Sequence, residues 1–201
     1  MSVQLQLSDM VAKLQERRPL QSLAPEQVWD ASLEQAISTM VFHPEDARLE
    51  RSKEIIALKA GLHLLNDSLD RSHSYSQEIE DDATGCYWHG IMHRMEGDYS
   101  NANYWFHGAG AHPVKSRLNA KVADWLQNGI ILGELPDSAI RDTLVHMKGQ
   151  RAWNPGAFTD LIQQQVSGQG SDETRSALEY IQHIEMLELL AHTLSAAEIK
   201  S

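Results

Sequence analysis

Apolar residues recur at three- and four-residue intervals along most of the chain, and no stretch alternates with the two-residue period of a strand. The pattern predicts an all-α, single-domain helical bundle built from helical hairpins, with no sheet, over residues 1–201. Ser8 is placed to cap a short first helix ending before Pro19. Pro25 and Glu26 open a second, whose stripe runs through Val28, Leu33, Ala36, Ile37 and Met40. Pro44-Glu45-Asp46 starts a third, with acidic residues at its positive end. Across 46–68, Ile55, Leu58, Leu62 and Leu65 form one apolar stripe, while Leu49, Ile56, Ala60 and Leu64 form another. Two apolar faces mark a buried central helix.

Further helices are expected near 73–80, 84–96, 98–109, 114–128, 136–148, 156–167 and 172–195. Gly97-Asp98, His112-Pro113 and the stretch from Gly133 to Asp137 separate them with turn chemistry. Residues 167–171, Ser-Gly-Gln-Gly-Ser, read as a linker before the last helix. That helix carries Leu178, Ile181, Ile184, Leu187, Leu190, Ala191 and Leu194 on one stripe, which suits docking on the core. Exposed, the same stripe would suit a partner helix or a homodimer.

Composition narrows the setting. Seventeen Lys and Arg against 28 Asp and Glu give a formal net charge of −11, and no basic patch stands out, which argues against nucleic acid. One cysteine precludes an internal disulfide, no apolar run approaches the ~20 residues of a membrane span, and the first ten residues lack a signal-peptide pattern. A cytoplasmic protein without a membrane role is the expectation.

The chemistry concentrates between residues 63 and 112, which hold His63, His73, His89, His93, His107 and His112, six of the ten histidines. At 100° per residue, Tyr87, Trp88, Ile91, Met92 and Met95 share one arc, and His89, His93 and Glu96 share another. On the following helix Tyr99, Ala102, Trp105, Phe106 and Ala109 form an apolar arc. Two amphipathic helices joined by Glu96-Gly97-Asp98 make an αα-hairpin.

Gly90, Ala102, Phe106 and Ala109, with a proline close behind, resemble a single tetratricopeptide-like helical hairpin over 84–113. No second copy follows at that period, so the unit reads as one hairpin inside a non-repetitive bundle. The segment Tyr87-Trp88-His89-Gly90-Ile91-Met92-His93-Arg94, continuing through Glu96-Gly97-Asp98-Tyr99-Ser100-Asn101-Ala102 to Tyr104-Trp105-Phe106, also resembles a family of uncharacterised all-helical bacterial proteins. That resemblance implies a helical fold and no activity.

Histidines at i and i+4 can share a divalent metal, with Glu96 completing the set and His63, His73 or Glu78 arriving from neighbouring helices. Gly90 follows the first histidine where a zincin has glutamate, so that protease chemistry is unsupported. Without metal, His89 or His93 could act as general acid or base, with Asp67, Glu78 or Asp98 orienting the ring and Arg94 holding an anionic group. Such a His pair is most often a hydrogen-bonded polar face, and His63 on an apolar stripe is more often a satisfied core histidine. Two readings result. The first is a scaffold binding a protein or small-molecule ligand through a His- and aromatic-rich cleft that includes Trp88. The second is a metal-dependent or His acid–base, hydrolase-like enzyme using His89, His93 and Glu96. On both, the cleft is expected between the 46–68 helix, the 73–80 helix and the hairpin.

Overall fold

Capping chemistry divides the chain more finely than its apolar pattern does. The computed structural model describes residues 3–198; residues 1–2 and 199–201 lie outside that description. Every regular element is helical, with no strand among the described residues. Helix α1 spans Val3–Gln15, so Ser8 lies inside it rather than at its start. Helix α2 spans Ala31–Thr39, because Asp30 rather than the Pro25-Glu26 pair supplies the cap, accepting from Leu33 N at 2.9 Å. Trp29 N donates to Asn66 O at 3.0 Å, which fixes the preceding loop against another helix end.

The expected 46–68 helix is split. Asp46 caps α3 (Ala47–Glu50), then Ser52 caps α4 (Lys53–Leu65). Leu49, placed on an apolar stripe by its spacing, is consequently exposed. Helix α4 is the expected hub: Ile55, Leu58, Leu62 and Leu65 are buried, and it packs against α1, α2, α5, α6 and α11. Helix α5 (Leu69–Ser76) begins four residues before the predicted start and ends in a tighter turn over Gln77–Ile79.

Helices α6 (Ala83–Glu96) and α7 (Tyr99–Gly108) form the predicted hairpin. Its bend depends on Gly97, whose φ of 89° lies where a side chain is strained. Asp98 N donates to His93 O at 2.9 Å to close α6, and the Asp98 carboxylate accepts from Asn101 N at 3.1 Å to open α7. Close packing uses glycine as well: a Cβ at Gly90 would stand 2.7 Å from the Phe106 ring. At Gly61 on α4 it would stand 2.5 Å from Trp88. Trp88 is fully buried there. Burying roughly 200 Å² of indole at about 25 cal/mol per Å² contributes about 5 kcal/mol before the entropy cost.

Helices α8 (Val114–Asp124), α9 (Ala139–Met147) and α10 (Pro155–Gln164) surround a second apolar cluster containing Leu118, Leu144, Trp153 and Phe158. Helix α11 (Asp172–Ala196) serves both clusters: Leu178 and Ile181 belong to the second, Met186, Leu189, Leu190 and Leu194 to the first. Its apolar stripe is thus spent largely inside the chain. The 167–171 stretch is a hydrogen-bonded turn. Gln165 Nε2 donates to Ser171 O at 3.0 Å, and Ser171 and Thr174 cap α11 reciprocally. No described helix is long and apolar enough to cross a membrane.

Candidate metal centre

One helical turn separates His89 from His93, and both point off α6 toward α5 and α7. Their rings stack at 4.7 Å between centroids, 20° from parallel. Helix α5 brings His73 to 5.0 Å from the His89 ring and 5.1 Å from the His93 ring. One nitrogen from each of the three lies within 4.8 Å of the other two. Nitrogens bound to a tetrahedral ion at about 2.0–2.1 Å stand about 3.3 Å apart. Closing the set therefore requires up to about 1.5 Å of movement between nitrogens, together with rotation of the near-parallel His89 and His93 rings so that their lone pairs converge. His73, half-buried on α5, is the ring with room to make it.

His89 is the inner member. It is 1% exposed, and its ring lies flat against Trp105 of α7 at 4.0 Å. Neither of its ring nitrogens meets a hydrogen-bond partner among the described residues. An orphaned buried polar atom costs about 1–3 kcal/mol. Burial, then the neighbouring His93 and His73, push its pKa down to about 3. A neutral imidazole with a free lone pair, the form a metal needs, is what this environment favours.

His93 is held differently. Its Nδ1 lies 3.0 Å from Glu96 Oε2, one turn further along α6. A carboxylate only accepts, so this contact puts the proton on Nδ1 and the lone pair on Nε2. Asn101 Nδ2 sits 3.0 Å from that Nε2. Burial lowers the His93 pKa while Glu96 opposes the shift. Glu96 thus orients a candidate ligand, a supporting position common around metal-bound histidines. Glu96 reaches His93 rather than His89, and the ring that joins the two histidines is His73.

The remaining candidates lie elsewhere. His63 stacks on Tyr75 at 5.6 Å and its Nε2 reaches Ser38 Oγ only at 3.5 Å, so α4 lends no ring to the cluster. Asp67 ends α4 at a φ of 60° and binds Arg17 Nη2 at 2.7 Å, and it lines a separate cleft of about 210 Å³. Glu78 is exposed beside Lys59 and Tyr75. Trp88 is core, donating to Thr193 Oγ1 at 3.2 Å. Asp98 is spent as the α7 cap.

Arg94 cannot meet an incoming anion, because it is fully buried and already paired: its Nη2 donates to Glu185 Oε2 at 2.5 Å. Glu185 Oε1 also accepts from Tyr87 Oη at 2.8 Å and Trp153 Nε1 at 3.0 Å. Sequence reasoning missed this hub. Its signal was an acid at the apolar register of α11, four residues after Ile181 and four before Leu189. Asn101 was missed too, since an amide on a polar helix start has no distinguishing pattern. Cys86 is buried, and burial raises its thiol pKa.

Comparison with protein-family models, with curated proteins and with solved structures finds no match.

Proposed function

We propose that this protein binds a divalent transition-metal ion through His73, His89 and His93. The observation carrying the reading is the convergence of three imidazoles from α5 and α6 around a buried His89 whose two nitrogens lack partners. Three neutral nitrogen donors suit zinc, copper, nickel or cobalt better than calcium or magnesium. A three-histidine centre leaves a coordination position open, and such an ion can acidify bound water to a pKa near about 7. Glu96 holds the His93 tautomer, and Trp105 covers one face of His89. The ring surface first read as a ligand-binding cleft is largely consumed by packing, which is why the cluster is favoured over a general recognition surface.

A second reading uses the Glu96–His93 pair as a general base without metal, supported by the 3.0 Å contact that orients the ring. The acidic charge and single cysteine support a cytoplasmic setting for either.

The test is metal content and Co²⁺ titration on protein made without a histidine tag. One equivalent should bind, with visible d–d bands, and His73→Ala, His89→Ala and His93→Ala should each lose it. His63→Ala should keep it. Absence of binding in the wild type, or retention in the His89 variant, overturns the proposal.

A further inference from the structure

We propose that the cleft at the start of α5 binds a small alkyl diamine as its dication, one ammonium held by Asp67 at the buried end and the other by Glu34 and Glu26 toward solvent. No residue of the histidine cluster takes part, so the proposal stands apart from the metal reading.

The cleft holds about 210 Å³ and lies between the loop ahead of α2, α2 itself and the first turn of α5. That is below the ~300–1,000 Å³ of sites for drug-sized molecules, so its occupant is small. Pro25, Val28 and Leu69 give it a half-buried apolar wall. Glu26, Glu34, Asp67 and Asp70 supply four carboxylates. Arg17 behind Asp67, Arg71 at the mouth and the positive start of α5 offset roughly two and a half of those charges. The cleft stays acidic, and charge complementarity selects a cation.

Asp67 is the residue that points to a ligand. Its side chain is 6% exposed, with Oδ2 on Arg17 Nη2 at 2.7 Å. Oδ1 is buried and meets no donor among the described residues, a costly state for a carboxylate oxygen. Burial accordingly raises the Asp67 pKa, with Arg17 opposing the shift. A cation that brings its own N–H groups supplies what is missing. So narrow an opening suits an ammonium, with three donors on one nitrogen, better than the broad guanidinium fork. A bare divalent ion fits less well: among the described residues, no three of these acids bring carboxylate oxygens within 4.8 Å of one another. Glu26 and Glu34 enter no ion pair among the described residues and are free to take the second ammonium. Separated acids beside an apolar wall match a molecule charged at both ends, with methylene groups between them that gain by leaving water.

The probe is putrescine, a four-carbon diamine, titrated into the full-length protein at pH 7 and low ionic strength and followed by calorimetry and amide NMR shifts. One equivalent should bind, moving the amides of residues 67–71. Butylamine, which lacks the second charge, should bind about fivefold more weakly, and so should putrescine to Glu34→Gln. Glu78→Gln, which removes an acid outside the cleft, should match wild type. Asp67→Asn should lose binding; if that variant does not fold, butylamine and Glu34→Gln still decide. The inference is overturned by no saturable binding, by shifts confined to other residues, or by butylamine or Glu34→Gln within twofold of the reference. Mg²⁺ producing the same shifts at lower concentration also overturns it, because the cleft would then be a plain cation site.

Discussion

Arg94 and Glu185 form an ion pair from which water is shut out: the two side chains meet at 2.5 Å and neither has any exposed surface. The guanidinium also lies over Phe158 at 4.9 Å, while its Nε and Nη1 find no acceptor among the described residues. The pair joins α6 to α11 where the two apolar clusters adjoin.

Removing one member strands a buried charge, which typically costs about 3–5 kcal/mol. Glu185→Leu should therefore destabilise by about that much in urea unfolding, and Arg94→Met similarly. The double variant should cost clearly less than the two singles together. Additive losses would show that the two charges do not act on each other.

Glycine is required where helices touch. Gly90→Ala puts a methyl 2.7 Å from the Phe106 ring, and Gly61→Ala puts one 2.5 Å from Trp88. Each should lower stability by about 1–3 kcal/mol, read as a fall in thermal midpoint, despite alanine's better helix propensity. Gly133→Ala, with open space around its Cβ, should change little.

Acid should destabilise the fold through histidines kept neutral. Burial holds the His112 pKa at about 4 against an ordinary 6.5, and its Nδ1 accepts from Val114 N at 3.2 Å. Between those values the unfolded chain binds a proton that the folded chain refuses, so stability falls as pH drops from 6.5 toward 4. The share of His112 is up to about 3 kcal/mol. His112→Asn offers Val114 an oxygen and does not titrate. Denaturant midpoints at pH 7 and pH 5 should therefore differ less in this variant than in wild type.

Trp105 should report on the centre, because its ring lies 4.0 Å from that of His89. One equivalent of Cu²⁺ should quench tryptophan emission, and Trp105→Phe should remove most of that quenching while leaving binding intact. Quenching that persists unchanged would place the ion elsewhere.

The helical fold was legible because its apolar stripes are long: α4, α6 and α11 bury most of the residues their spacing assigns, with Ile56, Ile184 and Leu187 half-buried and Ala191 exposed. Boundaries were less so, since Asp30 and Ser52 interrupt stripes that continue on either side of them. At the site, the i, i+4 relation of His89 and His93 follows from one helix. The choice of His73 over His63 or Glu78 as the third ring depended on how α5 packs against α6, and no spacing encodes that. Glu96 was read as a donor beside His89, but its three-residue offset brings it onto His93 alone. Arg94 looked available because its partner lies 91 residues away.

The bend at Gly97 behaves as a ruler. A single residue added there and taken up as helix would turn the rest of α7 by about 100° about its axis and shift it by about 1.5 Å. Both helices could survive that insertion with their hydrogen bonds intact, yet the indole and the amide would leave the imidazoles they now cover. Loop length at this one corner is thus a chemical specification, and relatives that vary it should have exchanged the chemistry along with it.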